Sequence, residues 1–155
     1  MKLRLVLFIY WVALGNCFAQ SSMQVGIAKI NITPPSPAFM SGYANRDKPS
    51  EGVLHDLWAK ALVLSSQDEK MIIVTTDLLG LSHQVSAEVA EKIQEKFGIE
   101  RRQLMFNSSH THSGPMIWPS LSVIAEYSPE DQKIRALVFR GFLFAFHCLQ
   151  QHLLH

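Results

Sequence analysis

One amphipathic helix between two short apolar segments constrains the fold of this chain more than any other feature. In residues 85–97, VSAEVAEKIQEKF, apolar side chains recur every fourth position with charged side chains opposite, and Gly98 follows as a stop signal. The apolar positions are Val85, Val89, Ile93 and Phe97. The flanking segments, KMIIVTTD (70–77) and QLMFNS (103–108), are short and apolar, as strands are. This pattern predicts a helix that packs on a sheet.

Two more strands are predicted upstream of the helix. Residues 25–33, VGIAKINIT, alternate apolar and polar positions and stop at Pro34-Pro35. Residues 58–65, WAKALVLS, are joined to the 70–77 segment by SQDE, which favours a β-hairpin. The order strand, strand, helix, strand predicts a mixed α/β (α+β) domain. Its site is expected on a loop at the carboxyl end of a strand.

Length and charge exclude some classes of function. The 155 residues suit one domain with a real core. The formal net charge is +1, so nothing indicates a nucleic-acid partner or a strong attraction to a membrane surface.

The first 19 residues have the features of a secretory signal peptide. Lys2 and Arg4 precede an apolar core at 5–14, and Cys17 and Ala19 are small residues at −3 and −1 of a cleavage site. The apolar run is too short for a comfortable membrane span. We therefore expect a secreted or periplasmic protein.

Cys17 also allows a lipoprotein interpretation. It is disfavoured because Asn16, directly before that cysteine, is a poor small residue. Cleavage after residue 19 would leave Cys148 as the single cysteine, so no internal disulfide is expected.

Residues 135–155 differ in character from the chain before them. No Asp or Glu occurs after Asp131, and apolar side chains would surround a helix on every side. This favours a tail unrelated to the upstream fold, as a shifted reading frame would produce. A buried helix of a larger protein is the alternative.

The segment FNSSHTHSGPM, 106–116, carries the most informative pair of residues. In an extended segment, residues two apart point to the same face, so His110 and His112 could address one small volume. Neutral imidazole is a common zinc ligand, and a catalytic zinc needs about three protein ligands and an open position. The pair predicts a zinc site. The alternative is a pair of exposed or capping histidines in a polar loop.

The surroundings of the pair favour the zinc interpretation. Neighbouring Ser and Thr hydroxyls could orient the imidazoles, and Gly114-Pro115 predicts a sharp turn that lets a substrate approach the backbone. The upstream loop at 34–52 exceeds the usual length of a connection, as functional loops often do. A serine nucleophile is disfavoured because no G-x-S-x-G motif is present around Ser109 or Ser113.

Five segments together resemble the neutral/alkaline non-lysosomal ceramidases. GIAKINITPP, SGYANRD, WAKALVLS, VTTDLLGLSHQ and SSHTHSGP occur in the family's order, and the likeness extends from about Val25 to Ile134. It implies that residues 20–134 are the amino-terminal portion of a ceramidase-like catalytic domain. Members are secreted or membrane-associated zinc amidases that split ceramide into sphingosine and a fatty acid. The resemblance thus implies Zn²⁺, a ceramide-like lipid substrate, and membrane contact only through that lipid.

The same resemblance assigns roles to single residues. His110 would be a zinc ligand, and His112 would lie beside the metal and hydrogen-bond the substrate or its developing oxyanion. The backbone of Gly42 would line the substrate pocket. Asp77 matches an aspartate of the family's TD segment, and an N-cap or loop-bonding role is favoured over catalysis. His55 falls one residue late for the family's histidine, so no function is carried onto it.

The family's zinc takes further ligands from downstream: another histidine, a glutamate and a tyrosine. No matching segments occur here, so the resemblance implies that the remainder of the catalytic domain is missing and leaves open whether this chain alone is an enzyme. The alternatives are an inactive truncated fragment and another secreted zinc hydrolase, acting on esters or phosphoesters.

Overall fold

The computed structural model describes most of the chain after residue 22. The described residues are 23–35, 37–43, 45–66 and 69–117, followed by the helical residues 133, 135, 136, 139, 140, 143 and 147. The predicted signal peptide, Cys17 and most of the tail lie outside them. Within the described part, no helix is long and apolar enough to cross a membrane.

Four strands form one mixed sheet in the order β1-β2-β3-β4. They are β1 (Met23–Asn31), β2 (Trp58–Ser66), β3 (Glu69–Thr76) and β4 (Leu104–Ser108). The first three strands are antiparallel, with β2 and β3 forming the predicted hairpin, whereas β3 and β4 are parallel. The predicted mixed α/β fold is confirmed.

Helix α1 (His83–Phe97) connects the two parallel strands. Parallel neighbours need such a crossover, because their ends lie at opposite edges of the sheet. The Ser82 side chain caps the helix by accepting from the Val85 N–H at 3.2 Å, so α1 begins two residues before the predicted start. Its end was predicted correctly, since Gly98 adopts φ 67° and donates to the Gln94 carbonyl.

The core lies between α1 and one face of the sheet. Val85, Val89 and Ile93 on the helix are at most 1% exposed, and Phe97 is partly buried. The sheet contributes the alternate residues of its strands: Ala59, Ala61, Val63, Ile72, Val74 and Leu104. Burying one large aliphatic side chain contributes roughly 1.5–3 kcal/mol, so this layer stabilises the described fold.

The opposite face of the sheet carries a row of apolar side chains that the described residues leave open. Ile27, Leu62, Ile73 and Met105 are aligned by strand register across all four strands. Ile27 is 79% exposed and Met105 is 53% exposed. A groove of about 520 Å³ runs along part of this face.

Some residues of the tail contact the core. Phe139 is 8% exposed and belongs to the core cluster, and Leu143 packs against that cluster. Arg135 pairs with Glu88 of α1, and the Lys92 ammonium lies 4.8 Å from the centre of the Phe139 ring. The origin of residues 135–155 in a shifted reading frame stays a prediction, since most of them lie outside the described residues.

Candidate active site

The histidine pair follows β4 at the carboxyl end of the parallel strand pair. The hydroxyls of Thr76 and Ser108, which are register partners at the ends of β3 and β4, lie 2.9 Å apart. One residue further, the Ser109 N–H donates to the Thr76 carbonyl oxygen at 2.9 Å. His110 therefore lies two residues beyond the end of β4, at the edge of the sheet where the sequence predicted a site.

His110 makes one hydrogen bond through its ring and has an unusual backbone conformation. Its Nδ1 lies 2.8 Å from the carbonyl oxygen of Leu79. Because a carbonyl only accepts, Nδ1 donates this bond, and in the neutral imidazole the lone pair is then on Nε2. The residue also has φ 57°, which costs a non-glycine residue about 1–3 kcal/mol, and such strained residues cluster at active sites, ligand clamps and switch regions.

The rings of His110 and His112 lie near each other. Their centroids are 5.4 Å apart and the ring planes are inclined by 67°. The sequence prediction assumed an extended segment, but the positive φ of His110 and the turn at Thr111–Ser113 show that the segment bends. Proximity is thus produced by a turn and not by strand geometry.

Gly42 lies directly against the imidazole of His112. A Cβ atom at residue 42 would be 2.4 Å from His112 Cγ and 2.6 Å from its Nδ1, closer than real contacts allow. Gly42 also has φ 109°, a conformation that residues with a side chain rarely adopt. The ring therefore packs on bare backbone. Nδ1 of His112 is buried and has no hydrogen-bond partner among the described residues.

The loop that carries Gly42 is pinned to the histidine segment by backbone bonds. The Ser41 N–H donates to the Gly114 carbonyl at 3.1 Å, and the Met116 N–H donates to the Phe39 carbonyl at 2.8 Å. Ser41 is 2% exposed. The long loop predicted to be functional is therefore hydrogen-bonded to the segment that carries the histidines.

Arg46 and Tyr43 complete the cluster, and no sequence pattern had predicted a role for either residue. Arg46 Nη1 donates to the carbonyl oxygens of Ser41 at 2.9 Å and His112 at 2.6 Å. Its guanidinium lies 4.9 Å from the centre of the Tyr43 ring, and that ring meets His112 edge to face at 4.7 Å. Both residues belong to the SGYANRD segment, and this was the only feature of the sequence that pointed to a role for them.

Asp77 bonds the backbone of Trp58, the first residue of β2, and its N-cap or loop-bonding role stays a prediction. Its Oδ2 accepts from the Trp58 N–H at 2.9 Å, and its own N–H donates to the Trp58 carbonyl. A Cβ atom at residue 114 would lie 3.1 Å from the Asp77 carbonyl oxygen. The absence of a side chain at Gly114 therefore allows the backbone to pass close to Asp77. Asp77 thus joins β2 and β3 beside the site.

The structure brings His110, His112 and Gly42 together, while their roles stay predictions. No three His, Cys, Asp or Glu side chains of the described residues group as a metal-binding set. A catalytic zinc site needs about three protein ligands, so the described residues by themselves do not make a complete one.

The family is settled by a match over most of the described chain. The profile of the family described as "Neutral/alkaline non-lysosomal ceramidase, N-terminal" matches residues 23–138. The chain belongs to this ceramidase family. The resemblance found in the sequence is confirmed.

Among curated ceramidases, the chain is similar to proteins from a plant, an amoeba and a bacterium. It is 27% identical to neutral ceramidase 1 of Arabidopsis thaliana over 105 residues, which is 65% of this chain and 14% of that protein. It is 31% identical to neutral ceramidase A of Dictyostelium discoideum over 100 residues, covering 61% and 14%. For the neutral ceramidase of Pseudomonas aeruginosa the identity is 28% over 95 residues, covering 58% and 14%. The match thus spans about one seventh of each relative.

The fold matches solved ceramidase structures. The crystal structure of the Pseudomonas aeruginosa neutral ceramidase superposes with a TM-score of 0.75 at 20% identity, covering 85% of this chain and 22% of that one. A structure titled "Ceramidase complexed with C2" gives a TM-score of 0.73 at 20% identity, with the same coverage. The chain therefore has the fold of part of a ceramidase.

Proposed function

We propose that this chain carries part of the active site of a zinc-dependent ceramidase. The reaction is hydrolysis of the N-acyl bond of ceramide: water adds to the amide carbonyl carbon, the C–N bond breaks, and sphingosine and a fatty acid are released. Family membership supports this substrate class, since the similar curated proteins are named neutral ceramidases.

The single observation that carries the zinc part of the proposal is the bond between His110 and Leu79. Metal-binding histidines commonly donate the N–H of their other nitrogen to a carbonyl, which fixes the tautomer and the ring direction. At 2.8 Å, the Leu79 carbonyl does this for His110 and leaves the Nε2 lone pair for a metal. A zinc ion held there would polarise the amide carbonyl and lower the pKa of a water molecule.

The environment of His112 suits a hydrogen-bond donor to the substrate. A proton on the buried Nδ1 would have no acceptor among the described residues, and a buried unpaired N–H is costly. The proton is therefore placed on Nε2, which can donate to the oxyanion that develops during amide hydrolysis. The bare backbone of Gly42 lets the same ring pack directly against the loop.

The site proposed here is incomplete without ligands from other segments. The resemblance implies a further histidine, a glutamate and a tyrosine, and the described residues provide no group of three ligands. We expect the chain alone to bind zinc weakly and to turn over neither ceramide nor a phosphoester. Export through the amino-terminal signal peptide, to the periplasm or the outside, belongs to the same proposal.

Zinc titration of the purified chain by calorimetry tests the metal site. Replacing His110 by Ala is expected to weaken binding by about 10-fold or more, the size of effect seen when such sites are altered. His55→Ala is the matched control, because His55 is also an exposed loop histidine. Equal affinities of the native chain and the His110→Ala variant would contradict the assignment.

Binding of a short-chain ceramide tests the substrate class. The Gly42 amide and His112 ring resonances are expected to shift when the short-chain ceramide is added. The amide resonance of Gly52 should stay unchanged, because that glycine has open space beside it. A short-chain phosphoester lipid serves as the comparison ligand. Equal shifts with both lipids would contradict a preference for the ceramide amide.

A further inference from the structure

Arg46 is one of two described side chains that join the loops of the candidate site; the other is Ser41, whose hydroxyl donates to the Pro115 carbonyl at 3.4 Å. One nitrogen, Nη1, donates to a carbonyl on each loop: that of Ser41 at 2.9 Å and that of His112 at 2.6 Å. Ser41 and His112 are far apart in sequence, and Arg46 is only half-buried. These two bonds fix the backbone of His112 relative to the loop that presents Gly42.

The same guanidinium also supports the ring beside His112. It lies 4.9 Å from the centre of the Tyr43 ring, at cation–π distance, and Tyr43 in turn meets the His112 imidazole edge to face. Arg46 forms no ion pair with any of the described residues, so its contacts here are carbonyls and a ring. A planar guanidinium can donate in its plane while its face lies on an aromatic ring, which an ammonium cannot do.

We propose that Arg46 is a positioning residue that sets the direction of the His112 imidazole. It holds the His112 carbonyl from one side and Tyr43 against the ring from another, while Gly42 closes the third side. The importance of Arg46 for ceramide hydrolysis rests on the function proposed for His112. The effect of Arg46 on the direction of the His112 ring is independent of that function.

Loss of Arg46 should act locally. The bonds from Ser41 N–H to Gly114 and from Met116 N–H to Phe39 hold the same two loops together independently. The core between α1 and the sheet contains none of the Arg46 contacts. The fold is therefore retained when Arg46 is replaced, and the change is confined to Tyr43 and His112.

The test compares Arg46→Met with Arg101→Met by NMR of the full chain. Arg101 is a matched control, because its Nη1 also donates to a carbonyl, that of Leu104 at 2.7 Å, and its guanidinium lies 5.5 Å from the Phe106 ring. We expect Arg46→Met to abolish the nuclear Overhauser effect between the Tyr43 and His112 rings and to shift the His112 ring resonances. Arg101→Met should change neither. An unchanged Tyr43–His112 effect in Arg46→Met would overturn the proposal.

Arg46→Lys provides a second variant in case the Met variant does not fold. Its ammonium can donate to a carbonyl but cannot lie flat on Tyr43. We expect a Tyr43–His112 effect weaker than in the native chain, and stronger than in Arg46→Met if that variant folds. A native intensity in the Lys variant would overturn the proposal.

Ligand binding separates this inference from the proposed function. In Arg46→Met, we expect the short-chain ceramide to bind about 10-fold more weakly, as for loss of one hydrogen bond to a charged group, with zinc affinity unchanged. If the native chain binds neither zinc nor ceramide, the proposed function fails. The ring-to-ring effect then still decides whether Arg46 positions His112.

Discussion

At the scale of single residues, the site depends on the contact between Gly42 and the imidazole of His112. The added Cβ of Gly42→Ala would lie 2.4 Å from a ring atom, and φ 109° is strained for alanine. We expect the His112 ring to be displaced and the free energy of unfolding to fall by about 1–3 kcal/mol. Chemical denaturation and the His112 ring resonances measure the two effects.

Gly52→Ala is the control for that substitution. A Cβ added at Gly52 would have no atom within 4 Å other than those of Gly52 and its two chain neighbours, and the φ of Gly52 is outside the strained positive range. We expect a change of less than about 0.5 kcal/mol, as for most surface substitutions. A Gly42→Ala variant as stable as Gly52→Ala, with unmoved His112 resonances, would show that the close packing does not exist in solution.

At the scale of secondary-structure elements, helix α1 is linked to the chain that follows the site by an ion pair. The Lys92 ammonium, which donates to the Glu88 carboxylate at 3.0 Å, lowers the pKa of Glu88, and Arg135 adds to this effect. A depressed folded pKa means that the stabilisation is present above the unfolded pKa. It is lost as the pH falls through the lower folded value.

Glu88→Gln should therefore reduce stability at neutral pH and make it less sensitive to acid below the ordinary glutamate pKa of 4.5. Unfolding curves at a series of pH values check this. Glu95→Gln is the control, since Glu95 is an exposed glutamate of the same helix with no ion pair among the described residues. Identical pH profiles for the native chain and Glu88→Gln would mean that the pair contributes nothing.

Local patterns predicted the elements well and the site only in part. The period of apolar residues gave α1, Gly98 marked its end, and Pro34-Pro35 marked the end of the first strand to within two residues. The Ser82 cap, one turn upstream of the periodic residues, was not recognised. The role of Arg46 could not be derived, because its bond to His112 joins residues 66 positions apart in sequence. Nor does any local pattern predict the positive φ of His110.

At the scale of the whole molecule, the two faces of the sheet differ in what they contribute. One face is buried under α1, and the other exposes Ile27, Met71 and Met105 within the described structure. The match to solved ceramidases covers only 22% of those chains. The described structure thus has an exposed apolar sheet face, and the chain matches only a small part of each solved ceramidase.

This difference predicts a large loss of stability for one isoleucine substitution and almost none for another. Ile72→Ala removes a side chain that is 1% exposed in the core and should cost about 2–5 kcal/mol of unfolding free energy. Ile27→Ala, at a position that is 79% exposed, should change it by less than about 0.5 kcal/mol. Denaturant titration of both variants measures this. A large loss from Ile27→Ala would show that its face is covered in solution.

The role of His110 as a zinc ligand is tested most directly by long-range ¹H–¹⁵N NMR of its imidazole during zinc addition. The bond to the Leu79 carbonyl predicts that Nδ1 keeps its proton while the Nε2 resonance shifts with zinc. A shift at Nδ1, or no response of either nitrogen while the chain binds zinc elsewhere, would contradict the proposed site.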